Sequence, residues 1–240
     1  MTPRSIAAPM TVSRLRELLT AARCLFFDFD GPLVNLYGAH RASDVAETLW
    51  KSVNSWELEV ELTEPDNPTQ ILLDLAHHLA GPELDHHVVE LGKLLADQEI
   101  IAVASAPPTP YADLLVRRLS ARGRTIAVTT NNSAEAAVGY LRLRGLTSCF
   151  AGHVYGRSVD PRLMKPDPTC VRAALDGTGA EPGACLLIGD SPHDYEAARA
   201  AEVPFLGYAR NTGKEQMLRE AGAVHIVNSL APVYEAAAEA

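Results

Sequence analysis

The sequence predicts an α/β protein: a parallel sheet with helices on both faces and an all-helical insert near its start. Three observations predict it. Short, wholly apolar runs alternate with helix-like stretches, as strands buried on both faces do. Several of these runs end in Asp or Thr, where ligands sit in sheets of this kind. Between about Leu36 and Ala104 the patterning is helical, with no strand alternation.

In chain order, TVSRLRELLTAA (11–22) reads as a short amphipathic helix. CLFFDF (24–29) is the first strand and ends in carboxylates. The insert follows as ASDVAETLWKSVNSW (42–56), PTQILLDLAHHLAG (68–81) and PELDHHVVELGKLLADQEIIAVAS (82–105), with Pro82 separating the last two. APPTP (106–110) closes it. The expected division is therefore a core of residues 1–35 and 105–240 and a helical second domain of residues 36–104, set over the site.

The core resumes with strand candidates TIAVTT (125–130), CFAGHVY (149–155), CLLIGD (185–190), PFLGY (204–208) and AVHIV (223–227). YADLLVRRLSARG (111–123), AEAAVGYLRLRG (134–145), PTCVRAALDGTG (168–179) and DYEAARAAE (194–202) read as helices, several stopped by Gly. The Ala-rich tail YEAAAEA reads as a fraying final helix.

With 240 residues the chain can bury one substantial core, or a core and a smaller unit. Its formal charge of −9 argues against a nucleic-acid backbone as partner, which needs a basic surface. No apolar run approaches the roughly 20 residues that span a bilayer, and the first residues lack a signal peptide's apolar stretch. A cytoplasmic location without membrane contact is expected. The four cysteines show no metal-ligand spacing, and Cys24 and Cys185 lie in apolar runs; reduced, structural thiols are expected.

The chemistry concentrates at strand ends. Residues two apart in a strand share a face, so Asp28 and Asp30 should project together, with Gly31 turning the chain. Two close carboxylates repel unless one is protonated or a cation lies between them. Hard oxygen ligands with a third Asp nearby favour Mg2+. TTNNS (129–133) offers a hydroxyl and amides at a helix start, which suits phosphate, and Asn132 or Ser133 would also cap that helix. Lys165 precedes Pro166 in LMKPDP. LLIGDSPHDYEAA (186–198) ends a strand in Gly189-Asp190 and supplies Asp194 near a helix start, where it could serve as a cap.

These four segments, in this order, resemble the haloacid dehalogenase superfamily: D-x-D-G at 28–31, Thr130-Asn131, Lys165 before Pro166, and G-D-x-x-x-D at 189–194. The insert is similar to the α-helical cap of phosphoglycolate-phosphatase-like and β-phosphoglucomutase-like members. The resemblance implies a Rossmann-like core with a mobile cap, and a phosphatase acting on a small phosphorylated metabolite. Asp28 would be the nucleophile that forms an aspartyl-phosphate, and Asp30 the proton shuttle. Asp28, the backbone carbonyl of Asp30, and Asp190 would hold Mg2+, with Asp194 supporting through water or Lys165. Thr130 and Lys165 would bind the phosphoryl group, with Asn131 beside it.

The chain departs from many relatives in GPLVNL (31–36), where Pro32, Asn35 and Leu36 replace the usual residues; Pro32 would stiffen the hinge to the cap. Asp30 and Asp190 argue against a dehalogenase, which needs neither. Lys51 and Lys93 have no context that marks a Schiff-base lysine of a phosphonate hydrolase. A phosphomutase uses the same four motifs and stays open; a silent binding protein on this fold is disfavoured by the complete reactive set. Tyr37, His40, Arg41, Trp50, Lys51 and Trp56, early in the insert, are candidates for specificity. The paired histidines 77–78 and 86–87 read as solvated or capping, since adjacent helical residues do not face together. His193, inside the last motif, should border the site. The sequence leaves the oligomeric state open.

Overall fold

Leu25 and Phe27 enter one apolar cluster and Cys24 and Phe26 another, the period-two alternation of a strand with both faces covered. The computed structural model describes residues 10–81 and 84–239. Pro82, read as the break between two insert helices, lies outside them, as does Ala240 of the tail.

Helix α1 (Val12–Ala21), capped by the Thr11 hydroxyl, leads into β1 (Cys24–Phe27). Then come α2 (Ala42–Ser55), α3 (Pro68–His78), α4 (His86–Val103) and α5 (Ala112–Ala121). Strand β2 (Thr125–Thr129), α6 (Ala134–Leu143), α7 (Thr147–Phe150) and β3 (Val154–Tyr155) follow. The chain continues as α8 (Thr169–Thr178), β4 (Cys185–Gly189), α9 (Pro192–Ala200) and β5 (Phe205–Tyr208). It ends with α10 (Thr212–Ala221), β6 (Ile226–Val227) and α11 (Ala231–Ala236).

The six strands are parallel in the order β3-β2-β1-β4-β5-β6. Strand β1 lies between β2 and β4, so the chain winds outward in both directions from it. The crevice at the carboxyl ends of β1, β2 and β4 is the place where such sheets bind ligands. Helices α1, α5, α6 and α11 cover one face; α8 and α9 cover the other.

The strand candidates at 149–155 and 223–227 shrink to two residues each, and residues 147–150 are helical. Phe150 still reaches the core, but from the end of α7. The sequence reading had no element for α10. Its polar surface hides it, since only Leu218 is buried.

Residues 36–104 hold α2, α3 and α4, and among the described residues no strand. These helices gather their own apolar cluster, including Leu49, Ile71, Leu75 and Leu91. The last turn of α4 does not belong to it: Ala102 and Val103 join the main core. The two connections to the insert lie side by side. Asn35 N–H donates to Pro107 O at 3.0 Å and Thr109 N–H to Leu33 O at 3.1 Å. The Thr109 hydroxyl also donates to Gly31 O at 2.6 Å.

Candidate active site

Asp28 follows β1 directly, its N–H bonded to Ile188 O at 2.9 Å, so the strand ladder fixes where its carboxylate emerges. Lys165 meets it there. A lysine is normally solvated, but this one is 3% exposed. Its Nζ donates to Asp28 Oδ1 (2.8 Å), Asp194 Oδ1 (2.5 Å) and the backbone oxygen of Thr129 (2.8 Å). All three N–H bonds of the ammonium group are therefore used.

Asp194 caps and braces at once. It forms a capping box with Ser191 at the start of α9, while its Oδ2 accepts from the N–H groups of Asp190 and Ser191 and from the Ser191 hydroxyl. Asn131 bridges to Lys165 through both ends of its amide: Nδ2 donates to Lys165 O (2.9 Å) and Oδ1 accepts from Lys165 N (2.8 Å). Thr130 Oγ1 accepts from Asn132 N and donates to Asn132 Oδ1, both at 3.1 Å. Ser133 is the residue that caps α6. Asp30 Oδ1 accepts from Leu36 N at 2.9 Å, so the turn into the insert holds that carboxylate.

Buried carboxylates resist ionisation. Burial, then the nearby charges of Asp194 and Asp190, push Asp28 up to about 7 against the pull of Lys165. Burial lifts Asp30 to about 6, with the Leu36 N–H opposing and Asp28 adding. Asp190 also rises to about 6, chiefly through burial, while Lys214 lowers it from 2.9 Å away. For Asp194 burial is overridden by Lys165, and its carboxyl lies below the usual range. Lys165 is correspondingly raised, despite its burial, by Asp194 and Asp28.

The donor set fits a hard divalent cation. Asp28, Asp190 and Asp194 each offer a carboxylate oxygen, and these atoms lie within 4.8 Å of one another. Gly31 makes the close approach possible. Its φ is +116°, and a Cβ there would stand 2.5 Å from Asp190 Cγ.

All seven residues predicted from the motifs (Asp28, Asp30, Thr130, Asn131, Lys165, Asp190 and Asp194) line one cleft of about 670 Å³. The haloacid dehalogenase-like hydrolases match the chain over residues 22–202, a span that contains all seven. The chain belongs to that family. Phosphoglycolate phosphatase from Rhodospirillum rubrum is 37% identical over 124 residues, about half of each protein (50% of this chain, 51% of that one). Phosphoglycolate phosphatase from Aquifex aeolicus is 28% identical over 184 residues, 75% of this chain and 81% of the relative. A predicted phosphatase from Clostridium acetobutylicum superposes with a TM-score of 0.67 over 90% of this chain and 98% of that one. At 19% identity it speaks for the fold alone. Family and relatives together make this haloacid dehalogenase-like hydrolase a phosphatase.

Of the insert residues singled out in this hydrolase's sequence, Tyr37 and Arg41 line the cleft, as does His193. Trp50 and Trp56 pack in the insert's own cluster, and Lys51 pairs with Glu47 on the surface. Lys93 lines a separate cleft, between α4 and the start of α6. His86 and His87 do come together, rings 3.9 Å apart beside the Asp85 carboxylate, because they stand at the first turn of α4. Sequence reasoning missed Lys214, Arg210, Glu99 and Arg157. Lys214 and Arg210 come from the end of the sheet where no helix was expected, and Arg210 Nη1 reaches Asn35 Oδ1 at 3.0 Å. No helix among the described residues is long and apolar enough to cross a membrane.

Proposed function

We propose that the protein is a Mg2+-dependent phosphatase of a small phosphorylated metabolite, working through an aspartyl-phosphate on Asp28. The observation that carries this reading is Lys165 Nζ seated between Asp28 and Asp194, with Asp190 alongside. A cluster of three acids and one buried lysine suits a cation and a phosphoryl group far better than a neutral ligand.

Lys165 orients Asp28 by its Oδ1, leaving Oδ2 to attack phosphorus. As that bond forms, the bond to the leaving oxygen breaks, and Asp30 gives that oxygen its proton. A carboxyl lifted to about 6 can still carry a proton near neutrality, as a general acid requires. In the second step Asp30, now a carboxylate, takes a proton from water. The water oxygen attacks phosphorus, and the bond from phosphorus to Asp28 breaks. Esterification removes the charge of Asp28, which frees one N–H of Lys165 for a phosphoryl oxygen. The Asn131 side chain is committed to the Lys165 backbone, so its offer to phosphate is its backbone N–H. Mg2+, held by Asp28, Asp190 and the Asp30 carbonyl and supported by Asp194, would supply charge neutralisation.

We assign residues 36–104 as a cap that covers the cleft and reads the leaving group. Tyr37 and Arg41 from its start and Arg210 from the core line the cleft. Two arginines suit a substrate with a second anionic group, the kind named for the phosphoglycolate phosphatases it resembles. The test is phosphate release from a phosphometabolite panel, phosphoglycolate included, with Mg2+ and with EDTA. Release that requires Mg2+ supports the reading. Full release from thoroughly chelated enzyme contradicts the metal assignment, and faster isomerisation of hexose 1-phosphates than release replaces the phosphatase with a mutase.

A further inference from the structure

Glu99, on α4 of the insert, is fully buried, and a buried carboxylate is costly unless every lone pair finds a donor. Here four donors converge on it. Arg157 gives Nη1 to Oε1 (2.9 Å) and Nη2 to Oε2 (3.2 Å). Asn132 Nδ2 donates to Oε1 at 3.0 Å and Ser133 N to Oε2 at 2.8 Å. Arg157 ties the same parts together a second time, through Asn131 O (2.9 Å) and Gly92 O (3.4 Å), while its own N–H donates to Asn132 O (2.8 Å). The residue before it must be Gly, because a Cβ on Gly156 would lie 2.4 Å from Ala134 N.

From these contacts we infer that Glu99 and Arg157 are positioning residues that lock the insert to the phosphate-binding loop 130–133. The path is short. Glu99 holds the Asn132 amide by its nitrogen, which turns its oxygen toward the Thr130 hydroxyl. Arg157 pins the carbonyl of Asn131, whose side chain seats the Lys165 backbone. Neither Glu99 nor Arg157 lines the cleft, so neither touches the phosphoryl group. Both set the residues that do. Burial alone would be served by apolar side chains; a charged pair with two bonds of its own and five more to the loop and α4 serves orientation, and small misplacements of binding groups cost about 10²-fold in rate.

This inference rests on the phosphatase reading for its functional part, and the experiment separates the two. In the full chain, the double variant Glu99→Gln/Arg157→Met removes both charges and leaves no unpaired buried ion. In folded variant the inhibition constant of inorganic phosphate and the KM of the best panel substrate should rise about tenfold or more, with the Mg2+ half-saturation within twofold of wild type. Arg157→Lys, a point charge in place of a fork, should fall between. A merely structural pair would lower the melting temperature and leave the phosphate constant unmoved; that result overturns the inference. Hydrogen exchange on the wild type covers a variant that does not fold or an enzyme that releases no phosphate. The amides of Asn132 and Ser133 should exchange as slowly as those of β2. Fast exchange there overturns the lock whatever the enzyme's activity.

Discussion

Lys165→Met separates the electrostatic role of the buried lysine from its bulk. The side chain keeps its length and loses three hydrogen bonds, to Asp28, Asp194 and Thr129 O. Two carboxylates then lie buried without their cation. Breaking a buried pair in this way costs about 3–5 kcal/mol, a large part of the roughly 5–15 kcal/mol that holds a domain folded. The cost depends on pH, and its sign follows from the two acids. In the wild type Lys165 holds Asp194 below its ordinary value, so that ionised acid stabilises the fold above about pH 4 and the benefit is lost as pH falls. In the variant Asp28 loses the pull of Lys165, and at Asp194 only the Ser191 and Asp190 donors still oppose burial, so both carboxyls rise. The variant then binds one more proton than the wild type, and its deficit shrinks by up to about 1.4 kcal/mol per pH unit on acidification. Urea unfolding of metal-free protein at pH 7.5 and 5.5 reads both quantities. A deficit under about 1 kcal/mol at pH 7.5, or one unchanged between the two pH values, would refute the reasoning.

Asp28, Asp30 and Asp190 all prefer their protonated forms in the metal-free fold, so chelated protein should lose stability from about pH 4 to about 7. Mg2+ should raise the melting temperature more at pH 7.5 than at 5, and an equal rise at both would count against this. Asp30→Asn should lower kcat at least about 10²-fold while keeping or raising stability, since its amide oxygen can still accept from Leu36 N; activity within fivefold of wild type, roughly, would remove Asp30 from the proton transfer. Gly31→Ala should destabilise by more than about 1 kcal/mol and depress Mg2+ affinity, because φ is +116° and the new Cβ meets Asp190; unchanged affinity in a folded variant would contradict that contact. Arg41→Ala should spare an aryl phosphate better than the true substrate, because Arg41 lines the cleft from the insert, whereas equal loss on both would deny Arg41 a role in specificity.

The strands that carry the site were legible because each has an apolar interior and runs into a polar residue at its carboxyl end. Asp28, Thr130 and Asp190 announce the carboxyl ends of β1, β2 and β4. Lys165 was legible by its motif, though not its burial. Short apolar runs without that punctuation misled: Cys149-Phe150 is as consistent with a buried helix end as with a strand, and the structure makes it the former. Glu99 lies mid-helix beside the exposed Ile100 and Ile101, and Lys214 within a polar helix. Their partners are 33 and 24 residues away in Asn132 and Asp190, and no local pattern encodes such meetings.

The central claim is that Asp28 becomes covalently phosphorylated. Wild-type enzyme mixed with Mg2+ and an aryl phosphate, quenched in acid within one turnover and digested, reads it directly by peptide mass. The account predicts one added phosphoryl group on the peptide containing residues 24–34, located at Asp28 by fragmentation and lost in Asp28→Asn. Steady phosphate release with Asp28 unmodified at every quench time, or with the group on another residue, would contradict it.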